Sequence, residues 1–533
     1  MLLLFNLLIF VLISQFDSIQ SSCQKNPLCH YNAHLMIITC NSEFAQNNFT
    51  LPTPDISCFP PVNTYVFLNF EQIQAYTFHN LTFPANETFT IKLLNVSTIE
   101  SDTFSETIRL PDSSQLSIEI GEARTVTDIT IKPNAFNQIK IHRLHFLNLN
   151  TFNGHSTFDT NAFGDNLQID VLLFDQCNLT SFSNPSSKTT VNKLILRNSP
   201  SFTQLTSKTV PSFLPTIKSL EISTTGLQNI DAHTFQAWSL ILEELILTNN
   251  SNLETFPPAI VDGVLMKLNK LDISDNSIKM VDANYDWFPY SYTKDLALKN
   301  QELDLFLRSN MLKTLPFLQK IDFSGGYLGD NDENLFKNFF PNLTNLTSLD
   351  ISYTNLTETM IIDVLTKLSQ TATRLVDIHL RGQHLTDENF CSYFTVYKNA
   401  PSLLNLFLDQ SHPCNCIVEL FYRDAVPETR INNSISHPAC LLDSSRQRCD
   451  IQAQVSTSNC QIGAQKPDTS DGDNDLGDYA FGAVVAGVVV VLLVMLSLGY
   501  GVYQIRRRRN TDLTMEQPVE NPRTTIVEER LSV

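Results

Sequence analysis

The chain has 533 residues and a formal net charge of −19, because 55 Asp and Glu outnumber 36 Lys and Arg. Such an acidic chain repels nucleic acid and heparin-like polyanions as a whole, although local basic patches remain possible. It contains no nucleophile elbow, no metal-ligand helix and no glycine-rich phosphate loop. We therefore expect neither an enzyme nor a bound metal or cofactor.

Residues 1–22 begin with an almost wholly apolar run and end with small residues at Ser18 to Ser22. This arrangement resembles a secretory signal peptide, although the usual Lys or Arg near the start is absent. The apolar run is too short for a membrane span. We predict cleavage between Ser18 and Ser22.

Residues 23–60 hold the first group of cysteines: Cys23, Cys29, Cys40 and Cys58. A small segment that covers the end of a repeat array has little core of its own, and disulfides usually hold it in an oxidising compartment. We expect these four cysteines to pair with one another, in an order that spacing does not decide.

Residues 61–411 repeat one pattern, in which two apolar residues separated by one other residue precede Asn or a small substitute. The clearest copy is Leu271-Asp-Ile273-Ser-Asp-Asn276, and Leu349, Ile378 and Leu220 begin similar copies. About fourteen repeats follow, spaced by 22 to 29 residues. Their first apolar residues are Val66, Ile91, Leu116, Leu144, Leu172, Leu194, Leu220, Leu245, Leu271, Leu296, Ile321, Leu349, Ile378 and Leu406. This period is typical of leucine-rich repeats.

The spacing predicts one short strand per repeat, with both apolar residues on the same side. Stacked repeats then form one parallel sheet over a continuous apolar interior. The amide at the Asn position bonds to backbone groups that would otherwise be buried without a partner. Cys177 takes this position in its repeat and is predicted to be a buried free thiol. Apolar residues at helical spacing predict helices at 359–370 and 387–397.

Residues between the buried strand positions should face solvent and are the candidate ligand-binding residues. In the first half they include Tyr65, Phe67, Lys92, Leu94, Leu147 and Leu173. In the second half the candidate site residues are Asp272, Asp322, Asp350, Tyr353, His379, Arg381 and Phe407. The glycosylation motifs Asn95 and Asn249 fall at the edge of this surface, which favours the second half. Asp after the first apolar residue is also ordinary repeat consensus, so the three aspartates are equally consistent with simple solvation.

Residues 412–462 hold the second group of cysteines: Cys414, Cys416, Cys440, Cys449 and Cys460. A zinc site is the alternative for five of these residues, but an oxidising compartment favours disulfides. The five are His412, Cys414, Cys416, His437 and Cys440. Cys391 and Cys449 are extra to the pattern and either pair with each other or stay free. Eleven cysteines leave at least one unpaired.

Residues 463–479 form an acidic stalk rich in Asp, Gly, Ser and Pro. Residues 480–505 are predicted to be a transmembrane helix, because 480–503 contain no charge and are long enough to cross a bilayer. Four arginines, 506–509, follow and indicate that the tail, 506–533, is cytoplasmic. The tail is too short to fold alone, and its end, Leu531-Ser532-Val533, fits a PDZ-domain partner.

The ten Asn-x-Ser/Thr motifs all lie on the predicted extracellular side, as a glycosylated surface requires. They are Asn48, Asn80, Asn86, Asn95, Asn178, Asn249, Asn342, Asn345, Asn355 and Asn432.

Together these segments resemble the type I single-pass leucine-rich repeat receptors and adhesion proteins of the cell surface, which have cysteine-rich caps at both ends. The resemblance implies an α/β solenoid: a horseshoe with a parallel concave sheet, disulfide caps and one transmembrane helix. It also implies the pairs Cys414–Cys440 and Cys416–Cys460. The function that it implies is binding of an extracellular protein through the concave surface at the plasma membrane. The alternative is a subunit that associates with another membrane protein through its outer wall or its span.

Overall fold

The computed structural model describes most of the repeat region and parts of both flanking cysteine-rich segments. The described residues are 28–44, 62–78, 87–105, 108, 113–122, 124–183, 189–206, 209, 216–231, 234–235, 240–256, 267–281, 292–308, 315–328, 343–399, 405–409, 412, 415–423, 451–457 and 460. The predicted signal peptide, stalk, membrane span and tail lie outside them.

The described repeats form a parallel-sheet solenoid built on one sheet of sixteen strands. In chain order the strands are β1 Cys29–Asn32, β2 Ile37–Asn41, β3 Thr64–Leu68, β4 Thr88–Leu94, β5 Gln115–Ile120, β6 Lys140–Leu147, β7 Gln168–Asp175, β8 Thr190–Arg197, β9 Ser219–Ser223, β10 Glu244–Thr248, β11 Lys270–Asp272, β12 Asp295–Ala297, β13 Lys320–Asp322, β14 Ser348–Asp350, β15 Asp377–His379 and β16 Asn405–Phe407. Sheet order equals chain order, and every pairing is parallel except that of β1 with β2. Each repeat therefore adds one strand beside the previous one.

Shorter strands and helices lie outside the sixteen-stranded sheet. The short strands are Gln72–Ile73, Thr98–Ile99, Phe104–Ser105, Thr127–Ile131, Phe136–Asn137, Leu149–Phe152, Thr157–Phe158, Ser181–Phe182, Gln204–Leu205, Asn229–Ile230, Thr255–Phe256 and Met280–Val281. The helices are α1 Leu303–Arg308, α2 Glu358–Thr371, α3 Phe390–Asn399, α4 Cys416–Arg423 and α5 Ile451–Thr457, with 3-10 turns at Ser42–Phe44, Thr160–Ala162 and Asp387–Asn389. The helices predicted at 359–370 and 387–397 are confirmed by α2 and by the last 3-10 turn with α3.

The core is a continuous apolar layer between the sheet and the outer elements. In the first half it is rich in phenylalanine, and the rings of Phe78, Phe104 and Phe136 stack in sequence with centroids 5.0 and 5.1 Å apart. In later repeats the Asn positions form a hydrogen-bonded ladder. Asn276, for example, donates through Nδ2 to the Leu247 carbonyl (2.7 Å) and accepts from the Asn250 amide (2.9 Å). The predicted role of this position is confirmed.

Cys177 is confirmed as a buried free thiol at the Asn position of its repeat. Burial raises the pKa of this thiol to about 12, so almost no thiolate is present at neutral pH. The Sγ atom lies 3.4 Å from the Phe146 carbonyl, across to the preceding repeat. The thiol therefore acts as a small buried residue with a weak donor.

The register of two early strands differs from the sequence-based prediction. In β3, Tyr65 and Phe67 are buried, whereas Val66 is partly exposed. In β5 it is Ile118, not Leu116, that pairs with Ile91 of β4. The assignment of Tyr65 and Phe67 to the solvent-facing surface was therefore wrong. Every residue of Tyr-Val-Phe-Leu is apolar, so alternation alone does not show which set faces inward.

The prediction that Leu173 faces solvent was also wrong. Leu173 occupies an outward strand position between His145 and Ile195, yet it is fully buried. Lys92, Leu94 and Leu147 are partly exposed, as predicted for outward positions.

The disulfides correct two predictions for the C-terminal cysteines. Cys460 bonds to Cys391 on α3, with the two Cα atoms 5.1 Å apart, so the implied Cys416–Cys460 pair is wrong. The prediction that Cys391 pairs with Cys449 or stays free is wrong for the same reason. Cys416 is itself disulfide-bonded, and its partner lies outside the described residues. At the other end Cys29 and Cys40 pair across the β1–β2 hairpin. Stacking the last repeat brings Cys391 beside Cys460 although 69 positions separate them in sequence.

Replacing Cys391 with Ser should destabilise the protein by about 2–4 kcal/mol, because the Cys391–Cys460 bond closes a long loop. Non-reducing peptide mapping should recover one linked peptide pair that contains both residues. Cys177→Ser is the control, since that thiol forms no disulfide. A linked Cys416–Cys460 peptide would contradict the observed pairing.

Among the described residues, no helix is both long enough and apolar enough to cross a bilayer. The predicted span, 480–505, lies outside those residues, and so does the predicted pair Cys414–Cys440.

Candidate protein-binding surface

One face of the sixteen-stranded sheet carries partly exposed side chains at alternate strand positions, and we call it the open face. Its central row in the second half runs through paired positions from strand to strand. The row consists of Asp272, Ala297, Asp322, Asp350, His379 and Phe407. Five of the seven predicted site residues therefore share one row, which spans about 24 Å at the usual strand separation.

Each of the three aspartates in this row already forms a hydrogen bond with the backbone. The Oδ1 atom of Asp272, Asp322 and Asp350 accepts a hydrogen bond from the amide of the serine two residues later, at 2.9 to 3.1 Å. Two of these serines also accept a hydrogen bond from the next repeat. Ser274 Oγ accepts from the Lys299 amide, and Ser352 Oγ accepts from the Arg381 amide. Asp-x-Ser thus helps to hold each strand end against its neighbour, which is a structural role.

A lysine neutralises part of the acidic row. Lys299 Nζ lies 2.9 Å from Asp322 Oδ2, and this hydrogen bond is the main cause that raises the pKa of Lys299. The charges of Asp272 and Asp350 act in the same direction. These residues line a shallow depression of about 310 Å³ that also reaches His379. The row is therefore a mixed, internally paired surface.

At its C-terminal end the open face carries a cluster of larger side chains, Tyr353, His379, Arg381, Phe407 and Asp409, which we call the C-terminal patch. The rings of His379 and Phe407 stack, with centroids 4.2 Å apart and an interplanar angle of 7°. Arg381 is exposed and lies two residues after His379. The stack is therefore flanked by a cation.

Tyr353 is 60% exposed but is held in place. Its hydroxyl donates to Asp409 Oδ1 at 2.8 Å, and this hydrogen bond is the main cause that raises the pKa of Tyr353. The ring lies so close to Gly382 that a Cβ atom there would come within 2.4 Å of it. Asp409 also accepts from the Gly382 amide. An aromatic ring, a carboxylate and a glycine turn from three successive repeats thus support one another.

The structure brings Tyr353, His379, Arg381 and Phe407 together and leaves Asp272 and Asp322 farther along the same row. Sequence reasoning missed Asp409. It stands in the same strand-end position as Ser352 and Arg381 of the preceding repeats, so the register alone could have indicated it. Its function in the patch depends on the position of Tyr353 two repeats earlier.

Five of the predicted glycosylation motifs lie among the described residues: Asn95, Asn178, Asn249, Asn345 and Asn355. Asn95 and Asn249 are exposed and sit in left-handed turns directly after β4 and β10. Asn355 is bonded at both amide atoms to the Leu328 backbone, at 2.9 and 2.7 Å. Attached sugar would replace one hydrogen of that Nδ2 atom. Occupancy of all ten motifs stays a prediction.

Within the part of the chain that the structure describes, no group of three or more His, Cys, Asp and Glu side chains could hold a metal ion. His412 instead uses Nε2 in a hydrogen bond with the Leu385 amide, at 3.2 Å. Since Cys416 is disulfide-bonded, it is not available as a zinc thiolate.

No family model and no curated protein matches this chain. Among solved structures, the TLR13–ssRNA13 complex is 14% identical with a TM-score of 0.31, and the match covers 72% of this chain and 70% of that one. A leucine-rich repeat protein of Leptospira interrogans is 15% identical with a TM-score of 0.28, covering 60% and 83%. The mouse RP105/MD-1 complex is 15% identical with a TM-score of 0.29, covering 68% and 61%. Likenesses this weak imply no shared ligand or partner.

Proposed function

We propose that this protein is a cell-surface receptor or adhesion protein that binds an extracellular protein through the C-terminal patch of its open face. Residues 480–505 would anchor it in the plasma membrane with the repeats outside, and its C-terminal Leu531-Ser532-Val533 would be available to a PDZ domain. Net charge alone argues against nucleic acid as a partner.

The observation that carries this proposal is the composition of the patch. Tyr and Arg are enriched among the residues that dominate binding energy at protein interfaces, and aromatic rings supply large contact areas. Here Tyr353, Arg381 and the His379–Phe407 stack are accessible on adjacent repeats. A partner that covers the patch would bury aromatic surface beside a cation.

The patch is also preorganised. Tyr353 is held by Asp409 and by contact with Gly382, and His379 and Phe407 hold each other. Side chains that are already ordered lose less conformational entropy on binding, so more of the contact energy appears as affinity. The aspartates at 272, 322 and 350 contribute less in this proposal, because each already bonds to its own strand.

The test is the double variant Tyr353→Ala with Phe407→Ala in the full-length protein displayed on cells. A panel of cell-surface ectodomains supplies the partner, and the variant should bind the partner found at least about tenfold more weakly, as expected for central interface residues. Surface display should not change, and thermal melting should fall only slightly, because Tyr353 is exposed and Phe407 is partly exposed.

Tyr327→Ala is the matched control, since Tyr327 is also an exposed tyrosine (50%) but lies outside the patch. It should leave the affinity within about twofold of the unmodified protein. Unchanged binding by the double variant, with its display intact, would overturn the placement of the binding surface. If no ectodomain binds and the patch variant instead alters association within the membrane, the subunit alternative gains support.

A further inference from the structure

A second depression, of about 460 Å³, lies on the open face far from the C-terminal patch. It spans β6, β7 and β8 and the residues that precede β9 and β10. These three strands are eight residues long, whereas β11 to β16 have three residues each. The in–out alternation breaks in each long strand, as at Asp170-Val171, where consecutive residues are both partly exposed. The depression lies where these eight-residue strands are followed by shorter strands of the same sheet.

We call this second depression the central depression. Its floor presents hydrogen-bonding groups in fixed positions. Asp170 is held by both oxygens: Oδ1 accepts from Asn192 Nδ2 at 3.1 Å, and Oδ2 lies 3.2 Å from His142 Nδ1. Gln168 lies on the same strand and Ile169 lines the wall. Carboxylate and amide groups supply acceptors and donors side by side, which is the chemistry that binds neighbouring hydroxyl groups.

Two exposed lysines, Lys140 and Lys218, stand at opposite ends of the depression. Among the described residues neither forms an ion pair, whereas Lys92, Lys193 and Arg197 of the open face each pair with a carboxylate. Three strand separations lie between the two lysines, which corresponds to about 14 Å. One small anion cannot reach both charges, so the spacing fits an extended ligand with two anionic groups.

From this geometry we infer that the central depression binds an anionic oligosaccharide, with Lys140 and Lys218 contacting its carboxylate or sulfate groups and Asp170, Asn192 and Gln168 its hydroxyl groups. The net charge of −19 disfavours polyanions over the whole surface, but these two lysines form a local exception. This site is separate from the C-terminal patch and does not depend on the proposed function.

The test measures binding of a chondroitin sulfate hexasaccharide to the purified full-length protein by calorimetry. We expect a Kd in the range of about 10–100 µM. The double variant Lys140→Gln with Lys218→Gln should weaken binding at least about tenfold, since both anionic groups lose their partner. Asn192→Ala should weaken it several-fold while leaving its salt dependence unchanged, because it removes a neutral hydrogen bond.

The matched control is Lys132→Gln with Lys267→Gln, which removes two exposed lysines outside the depression and changes net charge equally. It should keep affinity within about twofold. An equal loss in both double variants would show nonspecific attraction and overturn the site. So would equal binding of uncharged chitohexaose, equal binding of a hexaglutamate peptide, displacement by sulfate alone, or no binding at about 1 mM. Tyr353→Ala should not alter saccharide binding.

Discussion

Phe158→Ala should destabilise the protein by about 3–5 kcal/mol, the largest effect that we expect from a single core truncation. Phe158 is fully buried, and its ring lies 5.2 to 5.3 Å from the rings of Phe146, Phe152, Phe163 and Phe174. These rings come from two successive repeats, those that begin at Leu144 and Leu172. Removing the central ring therefore leaves a cavity that no neighbour can fill without moving one repeat against the other.

Urea denaturation measures this loss through the midpoint and the slope of the transition. Phe317→Ala is the control, since Phe317 is 42% exposed and contacts only the accessible ring of Tyr292 among the ring pairs that the structure describes. It should cost less than about 1 kcal/mol. A Phe158→Ala loss as small as the control would show that the aromatic cluster does not join the repeats.

Asn276→Ala should cost about 3–4 kcal/mol, because each buried backbone group left without a partner costs roughly 1–3 kcal/mol. The side chain donates through Nδ2 to the Leu247 and Ile273 carbonyls, at 2.7 and 2.6 Å. Its Oδ1 accepts from the Asn250 amide at 2.9 Å. One amide thus serves its own repeat and the preceding one.

Asn276→Asp distinguishes the loss of the two donated hydrogen bonds from the loss of the accepted one. It keeps an acceptor for the Asn250 amide but loses both donors, so most of the destabilisation should remain. Asn300→Ala is the matched control: Asn300 is an exposed asparagine whose Nδ2 donates to Asp275 Oδ1. Equal melting temperatures for Asn276→Ala and Asn300→Ala would contradict the ladder.

Prediction from sequence succeeded where polar residues separate the apolar ones. In Leu271-Asp-Ile273-Ser, only one set of alternate positions is apolar, so the inward face is unambiguous, and β11 pairs as that pattern requires. In Tyr65-Val66-Phe67-Leu68 both sets are apolar. The structure buries the two aromatic residues, whose rings add more apolar surface to the core than Val66 would.

The candidate site was predictable in part for the same reason. Outward positions follow from alternation, so the sequence identified His379 and Phe407, but it assigned equal weight to Asp272 and Asp350. Only the folded chain shows that the aspartates bond to their own strands whereas the aromatic residues remain accessible. The lysines of the central depression, Lys140 and Lys218, carry no motif at all.

By itself the sequence determined the repeat, the strand and turn positions of most repeats, the buried Cys177 and the polar ladder, because each depends on residues within one repeat and on a simple period. Tertiary structure decided what depends on stacking. It placed Cys391 against Cys460, Tyr353 against Asp409, and Lys140 and Lys218 around one depression. Side chains that are 56 or more residues apart along the chain meet only through the lateral packing of successive repeats, and no local pattern encodes those contacts.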